Sequence, residues 1–383
     1  MTYIQRALKE TVTDTLKRDD RIVLLFGPRQ VGKTTLARDI MELIAGETYL
    51  FISGEDPRVE DVLASCDMQR IEGLLSGYSF AVIDEAQYVP NIGKSLKLIY
   101  DFRHKLRDMP RLLVTGSSSL ALAHGTRESL TGRTWSFTLY PIAFMELLSR
   151  ENDFEAAGRL EESLVLGMYP ALFSIPNRTD KIHHLRELVH AYLYRDVLEL
   201  GGVQNSRKLR DLLRLLAYQV GSEVSYQELG RQCGLSADTV ISYIDLLEKG
   251  FVLFRMGAYS RNLRKEISKK DKVYFFDNGV RNTLIEDTKE WDKRGDKGAL
   301  WENFLVAERL KSNEYARRYC GTYFWRTYTG AEIDYIEERE GKLHGYEFKL
   351  KHKEVPAPPS FIAAYPDAGF SVVSMDTWLD FVR

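Results

Sequence analysis

The first residues suited to chemistry form a glycine-containing loop between an apolar run and a helical pattern. Residues 22–35 read IVLLFGPRQVGKTT. This order predicts strand, loop and helix, in which backbone N–H groups and the positive end of the helix form a cradle for phosphates. Lys33 is expected to reach the β and γ phosphates, and Thr34 to offer its hydroxyl to Mg²⁺. The predicted phosphate-binding residues are Gly27, Pro28, Arg29, Gln30, Val31, Gly32, Lys33, Thr34 and Thr35.

An acidic pair follows the apolar run Phe80–Ile83. A continuously apolar strand is typical of a parallel sheet buried on both faces, and its carboxyl end opens on the ligand crevice. We therefore expect Asp84 to hold Mg²⁺, directly or through water, and Glu85 to polarise an attacking water. The pair indicates hydrolysis of a nucleotide rather than its storage. A solvated acidic turn is the alternative.

Two further segments can act on the terminal phosphate. The run RLLVTGSSS ends a predicted strand, so Thr115 or Ser117 can sense the phosphate or orient the water, and an ordinary strand-to-loop turn explains the run equally well. Arg133, or Arg127 six residues earlier, can neutralise transition-state charge, in cis or from a neighbouring subunit. A surface arginine is the alternative.

A second constellation lies near the carboxyl end of the chain. In Glu347-x-Lys349 both side chains fall on one face of a strand, and Asp334 can lie beside them on the adjacent hairpin strand. Two carboxylates and a lysine suit a nuclease site, because carboxylates bind Mg²⁺ or Mn²⁺ and lysine orients or deprotonates the attacking water. Glu302, in the preceding predicted helix, would complete the metal ligands. An exposed hairpin is the alternative.

Between these sites, three compact helices and an apolar strand predict a winged-helix module. The outer face of its third helix carries Asp238 and Asp245, which repel phosphate, so we predict that this helix does not enter a major groove. The segment Arg255–Lys272 has seven Lys or Arg and two acidic residues. If DNA or RNA binds this module, it is expected to bind through the phosphate contacts of this basic wing, with weak sequence specificity and a strong salt dependence. A solvated hairpin is the alternative.

The elements that must position these residues fit a chain of 383 residues, of which 44% are apolar and 28% charged. These are globular proportions for two or three domains. A net charge of −2 favours no partner. Three scattered cysteines, no apolar core at the N-terminus and no apolar run of about 20 residues predict a cytoplasmic protein without disulfides or a membrane span.

The segments GPRQVGKTTLA, VIDEAQ, LLVTGSSS, LTGR and LYPIAFMELL resemble, in order and spacing, the AAA-type ATPases of bacteria and archaea that carry a C-terminal domain of unknown function related to PD-(D/E)xK nucleases. The resemblance implies Walker A roles for Lys33 and Thr34, Walker B roles for Asp84 and Glu85, and ATP with Mg²⁺ as ligands. The order of helix and three strands around Glu347-x-Lys349 resembles the PD-(D/E)xK superfamily itself.

We therefore predict an α/β chain in four parts. Residues 1–145 form a P-loop ATPase core of the AAA type, 146–204 a helical connector, 205–272 the winged-helix module and 273–383 the PD-(D/E)xK nuclease-like domain. The predicted function is ATP hydrolysis coupled through the winged helix to a metal-dependent nuclease-like domain that acts on DNA or RNA. The alternative is an ATP-gated signalling or scaffold protein that binds a protein partner without cleavage. An arginine acting in trans would require a homo-oligomer.

Overall fold

The computed structural model describes residues 4–44, 46–103, 109–117, 130–191, 206–260, 271–351 and 353–383. They form two compact units: Met1–Pro141 with Lys249–Phe251, and Ile142–Glu248 with Val252–Arg383. The first unit ends near the predicted boundary at 145. The predicted connector, winged helix and nuclease-like domain share the second unit, and their separate boundaries stay a prediction.

A five-stranded parallel sheet forms the centre of the first unit. Its strands are β1 (Ile22–Phe26), β2 (Tyr49–Ser53), β3 (Phe80–Asp84), β4 (Arg111–Gly116) and β5 (Thr134–Thr138). They lie in the order β2-β3-β4-β1-β5, and every neighbouring pair is parallel. The predicted α/β fold with a parallel sheet is therefore confirmed. The described helices of this unit are α1 (Leu8–Arg18), α2 (Lys33–Leu43), α3 (Pro57–Ala64), α4 (Met68–Leu75) and α5 (Ile92–Arg103).

Strand β1 is buried on both faces. Ile22 and Leu24 belong to a core cluster that includes residues of α3, α4 and α5. Val23 and Leu25, which point to the opposite face, are also inaccessible to solvent. Strand β3 is buried along its whole length. Burial on two sides explains why these strands read as continuous apolar runs instead of alternating patterns.

The chain continues with a mostly helical region. The further described helices of the chain, including those beside the later sheet, are α6 (Phe144–Leu148), α7 (Asp153–Ala157), α8 (Leu160–Leu166), α9 (Arg178–Ala191), α10 (Ser206–Tyr218), α11 (Tyr226–Cys233), α12 (Ala237–Lys249), α13 (Asn278–Leu284), α14 (Lys297–Tyr315), α15 (Pro359–Ala364) and α16 (Trp378–Val382). In the described part of the chain, no helix is long and apolar enough to cross a membrane.

Helices α10, α11 and α12 are the three that the sequence predicts for the winged-helix module. Ser225 caps α11 and Ser236 caps α12, where each side chain accepts a hydrogen bond from a backbone N–H three residues later, at 3.4 and 3.1 Å. Gly234 takes a φ of 63° in the turn between them. An antiparallel hairpin of β6 (Leu253–Met256) and β7 (Lys272–Phe275) follows. The assignment as a winged helix stays a prediction.

A four-stranded sheet follows α14. Its strands are β8 (Gly321–Arg326), β9 (Glu332–Arg339), β10 (Lys342–Phe348) and β11 (Gly369–Val373). In the order β11-β10-β9-β8, the pairs β8–β9 and β9–β10 are antiparallel and β10–β11 is parallel. The expected order of one helix and three strands is present. Lys349, expected inside a strand, lies just past the end of β10, and its N–H donates to the carbonyl of Val373 at 2.9 Å.

A buried ion pair joins α14 to this sheet. Nε and one terminal nitrogen of Arg309 donate to the two carboxylate oxygens of Glu337 on β9, at 2.7 and 2.8 Å. Asn313 donates to the same carboxylate at 2.7 Å. Burial raises the pKa of Glu337, but the hydrogen bonds and charge of Arg309, together with the hydrogen bonds from Asn313 and Tyr335, hold the pKa below its ordinary value. The folded state therefore needs both partners.

Replacing Arg309 with alanine should lower the free energy of unfolding by about 3–5 kcal/mol, because the buried carboxylate of Glu337 loses its cation. Urea unfolding followed by tryptophan fluorescence measures the change. Arg339→Ala, at an exposed position on β9, is the matched control. Equal unfolding midpoints for the two variants would contradict the assignment of stability to this pair.

Candidate functional site

The loop between β1 and α2 requires glycine at two positions. Gly27 has a φ of 150°, and a Cβ there would lie 2.1 Å from the carbonyl oxygen of Leu139. Gly32, immediately before α2, has a φ of 93°. Residues with a side chain rarely adopt such backbone conformations. The glycine spacing seen in the sequence is therefore a condition for closing this loop.

Lys33 lies folded onto the loop. Its buried Nζ donates to the carbonyl oxygens of Gly27 and Pro28, both at 3.0 Å. Lys33 is also the first residue of α2, so the unsatisfied N–H groups of the first helical turn stand at the same end of the loop. A lysine and a helix N-terminus together attract phosphate. Arg29 donates to the hydroxyl of Tyr88 at 2.8 Å.

Arg6 is a loop contact that the sequence did not reveal. The side chain is 5% exposed and donates to the carbonyl of Val31 in the loop and to that of Tyr140, both at 2.6 Å. The guanidinium thereby ties the loop to the chain segment beyond β5. No local pattern marks this role, because Arg6 and Val31 stand 25 positions apart.

Asp84, at the end of β3, is the centre of the predicted acidic pair. Its Oδ2 accepts a hydrogen bond from the hydroxyl of Thr34 at 2.9 Å, and its Oδ1 accepts one from Thr115. The backbone N–H of Glu85 donates to the hydroxyl of Thr115 at 3.1 Å. The structure thus brings the loop, the acidic pair and the end of β4 together. A hydroxyl beside a carboxylate is a donor set that suits Mg²⁺.

Glu85 is held by a residue that the sequence analysis did not select. Glu85 has a φ of 50°, in the left-handed region. Its carboxylate accepts a hydrogen bond from the amide of Gln87, and the carbonyl oxygen of that amide accepts from the N–H of Ser117 at 3.1 Å. Gln87 therefore connects Glu85 to the residue after β4. The sequence feature that could have pointed to Gln87 is its place in the segment VIDEAQ, three residues after Asp84.

The structure places Arg133 away from the loop. Thr134 pairs with Ile22, so Arg133 lies at the amino edge of the sheet, about 13 Å of strand length from the loop at the carboxyl edge. Its Nε donates to Asp101 at 2.9 Å. In this position Arg133 does not contact the loop, and its predicted role, in cis or in trans within a homo-oligomer, stays a prediction. Arg127 lies outside the described residues.

The second predicted site is assembled from β9, β10 and α14. The N–H of Phe348 donates to Asp334 at 2.8 Å, and Nζ of Lys349 lies 2.6 Å from Glu347. Burial, followed by the negative charges of Glu302 and Glu347, raises the pKa of Asp334 to about 7. The fold thus brings together the three carboxylates and the lysine that the sequence selected.

Glu302 binds a cation of the protein itself. Its Oε1 accepts from Nζ of Lys272 at 3.2 Å and from the hydroxyl of Tyr274 at 2.7 Å, and the same Nζ lies 2.6 Å from Glu332. Among the described residues, no group of three or more acidic, His or Cys side chains is arranged to hold a metal ion. The predicted set of Glu302, Asp334 and Glu347 around one ion is therefore not formed.

The described cations of the predicted basic wing are bound to acidic groups. Arg255 on β6 pairs with Asp245 at 2.5 Å and with Glu248, both on the third helix of the module. Lys272 on β7 is buried at 3% side-chain exposure. The remaining cations lie in 261–270, outside the described residues. Neither described end of the wing presents a cation that is not already paired.

Three family models match the chain. An AAA domain covers residues 19–148, a domain of unknown function, DUF8612, covers 157–290, and a second domain of unknown function, DUF4143, covers 297–376. The first match contains the loop, the acidic pair and the parallel sheet. It supports an ATPase fold of the AAA type for the first unit.

Two relatives are named as uncharacterized proteins. The uncharacterized protein Rv2008c of Mycobacterium tuberculosis is 30% identical over 334 residues, which cover 86% of this chain and 70% of that protein. The uncharacterized protein MJ1544 of Methanocaldococcus jannaschii is 22% identical, with coverages of 93% and 85%.

Solved structures are similar at low scores. A RuvB variant of Thermotoga maritima aligns with a TM-score of 0.32 and 21% identity, over 66% of this chain and 89% of that one. The ORC1 protein of Aeropyrum pernix, solved in complex with DNA, aligns with a TM-score of 0.33 and 16% identity, over 73% and 90%.

Replacing Gly27 with alanine should weaken ATP binding by roughly tenfold or more, because the new Cβ forces the loop off Leu139 and backbone strain costs about 1–3 kcal/mol. Titration with a fluorescent ATP analogue measures the affinity. Gly73→Ala is the control, since a Cβ on this helical glycine would meet no atom within 4 Å. Wild-type affinity in the Gly27 variant would show that the loop does not contact the phosphates.

Proposed function

The chain, which carries an AAA domain, belongs to the family of the uncharacterized mycobacterial protein Rv2008c, and from this premise we propose that it binds and hydrolyses ATP. The observation that carries the proposal is the contact between Thr34 and Asp84, at 2.9 Å. It joins the glycine loop to the acidic pair, which are separated by 50 positions in the sequence. If the loop were only a structural turn and Asp84 only a surface carboxylate, no hydrogen bond between Thr34 and Asp84 would be needed.

In the proposed site, the backbone of the loop and the first turn of α2 bind the phosphates. Lys33 exchanges its two carbonyl partners for phosphate oxygens. Thr34 and Asp84 would hold Mg²⁺, which supplies positive charge to the phosphates when bound. The buried hydrogen bond from Thr115 fixes the orientation of the Asp84 carboxylate.

Glu85 is proposed to accept the proton of the attacking water. In the structure its carboxylate is occupied by Gln87, which is also bound to Ser117. Glu85 must therefore release Gln87, or share it, before it can bind the water. Because Ser117 follows β4, a movement at the end of this strand can control the availability of the base.

The variant Glu85→Gln should bind ATP normally and hydrolyse it about 10²–10⁴-fold more slowly, because it lacks the general base. Lys33→Ala should lose ATP binding itself. Affinity from analogue titration and turnover from phosphate release separate the two effects. Glu42→Gln, at an exposed position on α2, is the control for a changed surface charge. Wild-type turnover in Glu85→Gln would show that another residue activates the water.

We further propose that ATP hydrolysis is coupled, through the winged-helix module, to a nuclease-like domain acting on DNA or RNA. Support comes from Asp334 on β9, Glu347 on β10 and Lys349 just past the end of β10, since Glu347 raises the pKa of Asp334 and pairs with Lys349. Two carboxylates with water ligands suffice for Mg²⁺ or Mn²⁺, which would polarise a phosphodiester. Lys349, paired with Glu347, would orient the attacking water.

A specific observation favours the second candidate, a signalling or scaffold protein that binds a protein partner without cleavage. Lys272 is buried between Glu302 and Glu332, at 3.2 and 2.6 Å. An internal cation already neutralises that side of the acidic cluster, which is typical of a structural ion-pair network. The two candidates differ in whether Asp334 is needed for strand scission.

Incubation with linear, circular and single-stranded substrates and Mn²⁺ should yield products that are lost in Asp334→Asn, because the substitution removes a metal-binding charge while keeping the acceptor for the Phe348 N–H. Gel electrophoresis measures the products. Asp367→Asn, at an exposed position of the same unit, is the control. No cutting by the wild-type chain would favour the scaffold function, and equal cutting by wild type and Asp334→Asn would indicate a contaminating nuclease.

A further inference from the structure

A cavity of about 630 Å³ in the second unit lies between α9, α10 and α13. Its basic lining residues are Arg186, His190, Arg207, Arg210 and Arg214. Its acidic lining residues are Asp211 and Glu286. Four arginines against two carboxylates make this a positively charged cavity in a chain whose net charge is −2.

The arginines occupy one face of a helix. Arg207, Arg210 and Arg214 follow one another at intervals of three and four residues on α10, and all three are exposed. The opposite face of α10 is apolar and buried, so packing accounts for that face alone. Like charges at this spacing destabilise a helix. Asp211, four residues after Arg207 and three before Arg214, offsets part of this repulsion.

A second helix supplies charge to the same cavity. Arg186 and His190 lie one turn apart on α9, and both side chains are exposed. Within the described ranges, Arg186, Arg207 and Arg214 form no ion pair with a protein carboxylate, although Asp211 and Glu286 line the same cavity. This separates them from Arg255 and Lys272 of the basic wing, whose charges are already paired.

We propose that this cavity and the arginine face of α10 bind the phosphodiester backbone of a nucleic acid, an inference that rests on the proposed action on DNA or RNA. At about 1.5 Å per residue, the row from Arg207 to Arg214 extends about 10 Å. The arginine row is longer than one phosphate group, and its length matches a run of successive phosphates along a nucleic-acid strand. Guanidinium groups bind phosphate oxygens in pairs of parallel hydrogen bonds.

The site contacts the backbone and not the bases. Arginines on a helix face beside a cavity fix the register of a strand without reading its sequence. The proposed binding surface is thus formed by α10 of the predicted winged-helix module and α9 of the predicted connector. The third helix of the module and the described ends of the wing are not part of it. Weak sequence preference and strong salt dependence follow from phosphate contacts alone.

The test uses the full chain without ATP and the double variant Arg207→Gln/Arg214→Gln. Fluorescence anisotropy with labelled duplex DNA, single-stranded DNA and single-stranded RNA, over a series of potassium chloride concentrations, gives affinity and its salt dependence. The double variant should bind roughly tenfold or more weakly at low salt. The slope of log affinity against log salt should fall by about 0.9 for each duplex phosphate that the protein no longer neutralises.

The matched control is Arg231→Gln/Arg339→Gln, which removes the same charge from exposed positions outside the cavity. Retained affinity in this control, together with a native circular dichroism spectrum of both double variants, supports the cavity as the binding site. Equal weakening in the two double variants would overturn it, because net charge alone would then explain the weaker binding. If the wild-type chain binds and Arg207→Gln/Arg214→Gln binds as tightly, this inference alone fails. If the wild-type chain binds none of the probes, the proposed action on nucleic acid fails with it.

Discussion

The carboxylate of Asp84 is the contact on which the first unit depends. Its two oxygens accept hydrogen bonds from Thr34, after the glycine loop, and from Thr115, on β4. Three segments that are distant in sequence are therefore fixed at one edge of the parallel sheet. This is possible because β3 is buried along its whole length and delivers Asp84 to the carboxyl edge. The acid can remain buried because both of its oxygens are satisfied.

The sequence was sufficient for features that depend on neighbouring residues. The apolar runs of β1 and β3, the glycine spacing of the loop and the caps of α11 and α12 are local patterns, and the structure contains each of them. Contacts across the sheet could not be predicted in this way. Arg6 and Gln87 act through partners brought close by folding. The distance of Arg133 from the loop likewise depends on the register of β5 against β1, which no local pattern gives.

The same limit applies to charge in the second unit. A count of Lys and Arg between Arg255 and Lys272 treats every cation as available to a partner. In the fold, Arg255 forms an ion pair with the acidic third helix, and Lys272 is buried against Glu302 and Glu332. Composition can therefore locate charge along the chain, but the pairing decides which charge a ligand meets. The exposed arginine row of α10 did not stand out in the sequence, because it alternates with the leucines of a buried helix face.

The acidic cluster of the second unit is unevenly neutralised by the cations of the chain. Glu302 and Glu332 share Lys272, and Glu347 has Lys349. Among the described side chains, Asp334 has no ion-pair partner and accepts only the backbone N–H of Phe348. Burial and the neighbouring carboxylates raise its pKa to about 7, so its ionised form is costly in the folded chain. Such raised pKa values occur both at functional sites and in structural ion-pair networks. In the proposed nuclease-like site, Asp334 is therefore the carboxylate that a bound metal ion would stabilise most.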